Sequence, residues 1–137
     1  MAYSAFYARF FDLLDNIKEA FAEVFKFRAS FFYLAGFIFW QIAAWTQAFF
    51  IKSRLSGDLV VLHYNVDFGI DLVAAPASVF FYPGLALLIF IINLLILLFL
   101  NRHKNLKILV HYLLAAAVLF GAFLSLVLLS VYLINFR

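Results

Sequence analysis

Three long apolar runs, nearly free of charge, constrain this chain more than anything else in it. Residues 31–51 (FFYLAGFIFWQIAAWTQAFFI) and 80–100 (FFYPGLALLIFIINLLILLFL) carry no charged side chain. Residues 108–134 (ILVHYLLAAAVLFGAFLSLVLLSVYLI) hold only His111 as a titratable group other than tyrosine. About 20 apolar residues wound as a helix cross the hydrocarbon core of a bilayer. Inside lipid the backbone must satisfy its own hydrogen bonds, which a helix does. The 137-residue chain is 69% hydrophobic and 12% charged. A soluble domain of that size has too much surface for its volume to hide so much apolar area. The expected fold class is therefore an all-α membrane protein. Its transmembrane domain, residues 31–137, has three spanning helices at 31–51, 80–100 and 108–134, and a loop over 52–79. The third run exceeds the minimum length and is expected to tilt or to project from the bilayer. Pro83 falls in the first turn of the second span, where its missing N–H costs little.

Residues 1–30 read differently. Phe6, Phe10, Leu13, Leu14, Ile17, Phe21 and Val24 recur in steps of three and four, the spacing of one helix face. Asp12, Asp15, Asn16, Lys18, Glu19, Glu23 and Lys26 fall on the other side. The charges run through the whole segment and no short apolar core precedes a small-residue cleavage site, so it is not read as a signal peptide. The pattern predicts an amphipathic helix lying at the membrane interface; the alternative is an ordinary helix packed under the bundle.

Basic residues set the expected orientation. Arg9, Lys18, Lys26 and Arg28 precede the first span, and Arg102, Lys104 and Lys107 link the second to the third. With three spans these seven share one side; Lys52, Arg54 and Arg137 lie on the other. The excess places the N-terminus in the cytoplasm and the C-terminus outside an inner membrane. Loop 52–79 then faces outward.

Within that loop, LVVLHYNVDFGIDLV (residues 59–73) alternates with period two. Val60, Leu62, Tyr64, Val66, Phe68, Ile70 and Leu72 alternate with His63, Asn65, Asp67, Gly69 and Asp71, except where Val61 intervenes. Period two is the signature of extended backbone. Asp67 and Gly69 suit a turn or bulge, so a short β element, or a hairpin, is expected. Its apolar face would rest on helix ends or lipid. Its other face would present His63, Asn65, Asp67 and Asp71 for recognition. The i, i+4, i+8 spacing of His63, Asp67 and Asp71 could also serve a divalent metal, were the segment helical or folded back near Gly69. The alternation favours the plainer role, in which these groups are solvated or cap a turn, and no metal is assigned.

The same loop resembles a small bacterial multi-pass membrane domain of unknown function, found also in the N-terminal part of Sdp-type immunity proteins. His63, Tyr64, Asn65, Gly69, Asp71 and Pro83 carry the resemblance, which covers roughly residues 35–134. Val61 stands where that domain has a proline, and its Glu-Pro-Asp is missing. The resemblance implies a three-helix membrane module with an ordered outer loop, and an immunity-like role.

Few polar groups interrupt the spans. Gln41, Thr46 and Gln47 lie in the first, Asn93 in the second, Ser125 and Ser130 in the third. If Ile51 and Phe80 start level, Gln41 and Asn93 come within about 4.5 Å of one depth and could bond each other. Ala117, Gly121 and Ser125 form an i, i+4, i+8 stripe of small residues that would let a helix approach closely. That helix could belong to this chain or to a second copy. With no cysteine, no Ser/His/Asp grouping, no glycine-rich phosphate loop and no paired histidines, neither an enzyme nor a bound cofactor is expected. No basic, polar-interleaved patch suggests nucleic acid. The expected role is binding, scaffolding or an accessory subunit, with the lipid bilayer and a like or unlike membrane protein as partners. A small oligomeric channel or transporter is the alternative, and it requires polar faces aligned along a span.

Overall fold

The computed structural model describes residues 2–55, 57–65, 67 and 69–136, with side chains from Phe10 onward. The side chains of Phe6 and Arg9, and Val66, Phe68 and Arg137 altogether, lie outside the described residues. Four α-helices and one β-hairpin make the architecture: α1 (Ala2–Phe25), α2 (Arg28–Arg54), β1 (Val60–Asn65), β2 (Gly69–Ala74), α3 (Phe81–Phe99) and α4 (Leu106–Phe136). A short 3-10 turn, Pro76–Phe80, leads into α3. Three of the helical segments are long and apolar enough to cross a membrane, at Arg28–Arg54, Pro76–Phe99 and Leu106–Phe136. Each expected span falls inside or within a few residues of one of them.

α2 and α4 run parallel, with α3 antiparallel to both. α4 is the mast: α2 and α3 each pack chiefly along it and touch each other far less. The contact between α2 and α4 is close because small residues line it. Ala44 and Ala48 on α2, and Ala117, Gly121 and Ser125 on α4, are all buried. A Cβ added at Gly121 would lie 3.6 Å from Trp40 Cβ. The small-residue stripe therefore serves packing within this chain.

Two apolar cores stack along the mast. One joins Val24, Phe37, Phe90, Leu97, Leu106, Val110, Leu114 and Ala117, with the Phe37 and Phe90 rings stacked at 4.0 Å. The other joins Ala44, Ala48, Ile51, Val60, Val79, Leu128 and Val131. Outward-facing side chains such as Phe32, Phe39, Ile42, Leu95, Leu119 and Phe123 stay exposed on the bundle. Such a belt of apolar side chains is what lipid would cover.

α1 turns back sharply at Lys26 and Phe27. The fully buried Ser30 hydroxyl donates to the Val24 carbonyl at 2.6 Å, satisfying an acceptor that the end of α1 leaves open. Ala20 and Val24 are buried, so the C-terminal half of α1 is tucked under the bundle. Phe10, Leu13, Ile17 and Phe21 continue the same stripe but remain exposed. The amphipathic pattern is thus divided: one part joins the core, and the rest is an apolar face without protein cover among the described residues.

Candidate functional site

The hairpin stands at the end of the bundle opposite α1. β1 and β2 pair antiparallel, with Tyr64 opposite Ile70 and Asn65 opposite Gly69. Gly69 closes the turn at φ +80°, in the left-handed region that suits glycine. The Asn65 side-chain oxygen accepts from the Asp67 backbone N–H at 2.8 Å. Asn65, Asp67 and Gly69 are turn builders, as asparagine and glycine commonly are.

The strand does not keep one strict alternation. Val61 pairs with Val73 and His63 with Leu72, leaving a bulge at Leu62, and the register shifts again between His63 and Tyr64. A bulge redirects side chains relative to a regular pleat. The consequence is visible in burial. Val60 is fully buried and Leu62 packs against the upper core, whereas Tyr64, Ile70, Leu72 and Val73 are about half exposed. Within the protein only the root of β1 is covered. The hairpin leans back along α4, where Tyr64 shares a groove with Val127 and Ser130, and the half-exposed side chains are left open to lipid, one of the two covers expected from the sequence.

His63 and Asp71 meet across the strands, with Nδ1 and Oδ1 2.7 Å apart, on the exposed side. Asp67 contributes only its backbone N–H to the local bonding. Among the described residues no three histidine, aspartate or glutamate side chains gather as a metal site would need. The hairpin therefore brings two members of the i, i+4, i+8 set together and leaves the third in the turn.

The residue that holds the hairpin was not among those singled out from sequence. Asn135, in the last turn of α4, accepts from the Val61 N–H at 3.0 Å and donates to the Val61 carbonyl at 2.8 Å. Its amide also donates to the Val131 carbonyl of its own helix at 2.8 Å. One side chain thus satisfies both backbone groups of a residue on the outer edge of β1, where no third strand pairs. The last turn of α4 does this work. Beside the clamp, Leu62, His63, Tyr64, Val127, Leu133 and Ile134 help line a groove of about 510 Å³ between hairpin and helix.

The polar groups of the spans each make a contact within the bundle, and Gln41 Oε1 alone is buried without a partner among the described residues. Gln41 and Asn93 do not bond each other. Gln41 Nε2 donates to the Pro83 carbonyl at 3.2 Å, and Asn93 Nδ2 donates to the Leu113 carbonyl at 2.9 Å. The sequence-based depth failed because Phe80 lies level with Trp45 and Phe49, against which its ring packs at 5.8 and 4.9 Å, and not with Ile51. The Ser125 hydroxyl donates to Gln47 Oε1 at 3.1 Å, joining α4 to α2. Tyr33 and His111 share a hydrogen bond of 3.0 Å between the same helices nearer α1. Thr46 and Ser130 donate back to carbonyls one turn earlier. No family model, curated protein or solved structure matches the chain.

Proposed function

We propose that this protein is a non-enzymatic integral membrane module that displays a clamped β-hairpin for recognition of a partner at the membrane surface. The observation that carries the reading is the combination at the hairpin. Its root is fixed by Asn135 and Val60, while Tyr64, Ile70, Leu72 and Val73 remain exposed. Fixing a hairpin's position lowers the ordering cost of binding through it, and half-exposed apolar and aromatic side chains are the usual anchors of an interface. His63 and Asp71 add a polar pair at its edge. In this reading the N-terminus is cytoplasmic, the hairpin and the C-terminus lie outside an inner membrane, and the partner is a membrane protein, like or unlike. A bacterial immunity or sensing role, which the resemblance through His63, Tyr64, Asn65, Gly69 and Asp71 implies, is one form it would take. A channel is less well supported, because Gln41, Gln47, Asn93 and Ser125 each bond within the bundle and only Gln41 Oε1 is left without a partner among the described residues.

Photo-crosslinking in native membranes tests the proposal. A benzophenone side chain at Tyr64 or Ile70 should give a discrete protein adduct that one at Leu119 or Phe123, on the lipid-facing belt, does not. Asn135→Ala should weaken that adduct by freeing the hairpin. Indistinguishable patterns from hairpin and belt positions would refute recognition through the hairpin.

A further inference from the structure

At the end opposite the hairpin, α1 and the link between α3 and α4 border an open cavity of about 660 Å³. Lys26, Arg102, Lys104 and Lys107 line it, against the carboxylates of Glu19 and Glu23. Glu23 pairs with Lys26, and Glu19 lies 3.8 Å from Arg102. Among the described residues, Lys104 and Lys107 have no carboxylate partner. They also stand where a helix least tolerates cations. The N-terminus of α4 at Leu106 carries the positive end of its dipole, and no acidic residue occupies its first turn. Three like contributions converge there: the dipole, Lys104 and Lys107. An anion between them would relieve all three.

A second feature indicates what kind of anion. An apolar groove of about 320 Å³ adjoins the cavity through Asn101, which lines both. Leu13, Ile17 and Ala20 of α1 and Leu98 and Phe99 of α3 form its walls. Phe99 is 88% exposed, so the groove opens toward the region where acyl chains would lie beside a spanning helix. A polar, cationic chamber joined to an apolar channel matches an amphiphile with a negative head.

We propose that this cavity and groove bind one anionic phospholipid, its phosphate held by Lys104 and Lys107 and the start of an acyl chain laid between α1 and α3. Basic pockets at the cytoplasmic ends of spanning helices are suited to such headgroups. The site also gives the exposed part of the α1 stripe a cover: lipid bound at its side.

The full chain in detergent, with phosphatidylglycerol or phosphatidylcholine added, provides the test by native mass spectrometry. Each lysine near an anionic headgroup contributes about fivefold in affinity, so Lys104→Gln with Lys107→Gln should reduce phosphatidylglycerol retention about 30-fold. Both side chains are exposed, and the melting temperature without anionic lipid should not fall, since neutralising cations at the start of α4 relieves repulsion there; that reports an intact fold. Lys18→Gln with Arg28→Gln removes the same charge from the same end of the molecule without touching the cavity, and should keep retention. Equal loss in that control would show a general charge effect and overturn the site. Equal retention of phosphatidylcholine by the unaltered chain would overturn it as well. Competition by glycerol 1-phosphate alone would show that a free phosphate suffices and would overturn the lipid assignment.

Discussion

Replacing Asn135 by alanine removes two hydrogen bonds to Val61 and leaves that residue's N–H and carbonyl without a protein partner. A net intramolecular hydrogen bond contributes about 1 kcal/mol, so the clamp is worth about 2 kcal/mol, or about 30-fold in the ratio of docked to undocked hairpin. The competing anchor is Val60, which is fully buried and contributes about 1.5–3 kcal/mol by burial. The two are comparable, so the hairpin should loosen in Asn135→Ala without detaching. Hydrogen exchange measures this directly. Amides of β1, that of Val61 above all, should exchange about 30-fold faster, while amides in α2 and α4 keep their rates. Asn135→Asp keeps an acceptor for the N–H but sets a carboxylate against the Val61 carbonyl, and should not restore protection. An unchanged Val61 amide in Asn135→Ala, or equal acceleration throughout the bundle, would refute the clamp.

Other expectations are as specific. Gly121→Ala should be tolerated, because its Cβ meets Trp40 at 3.6 Å, an ordinary contact; Gly121→Leu should lower thermal stability in detergent by about 1–3 kcal/mol through overpacking. Ser30→Ala orphans the buried Val24 carbonyl and should cost about 1–3 kcal/mol at the corner, detected as faster protease cleavage near Lys26. Val24→Asp should release the C-terminal half of α1, whereas Phe10→Glu with Ile17→Glu should free only its N-terminal half from the interface; limited proteolysis in vesicles separates the two. A cysteine at Asp67 should react with an impermeant maleimide from outside and one at Asn105 should not, and the reverse pattern would invert the orientation.

The spans were legible because uncharged apolar length is a strong signal. The stripe at Ala117, Gly121 and Ser125 marked a helix contact, but small residues do not say whose helix fills it; Trp40, Phe37 and Gln47 supply that answer. The depth match of Gln41 with Asn93 missed because residue counting fixes a position along one helix and not the offset between two. Ring packing of Phe80 on Trp45 and Phe49 sets that offset. In the hairpin, period two foretold extended backbone, and the break in the alternation at Val61 falls beside the bulge at Leu62 without saying which way the strand shifts. Asn135 was invisible for a related reason: a lone amide at the end of an apolar run says nothing of a strand seventy-four positions earlier.

The dependence of α2 and α3 on α4 has a consequence for biosynthesis. The mast is the last of the described helices to emerge from the ribosome. Until it arrives, α2 and α3 share little surface, so the first two spans wait in the membrane as loosely associated neighbours, open to quality-control proteases. A chain interrupted at Asn105 should therefore be cleared rapidly in pulse-chase labelling. The intact chain should become resistant only once α4 has inserted, and the hairpin only after that, when Asn135 reaches Val61.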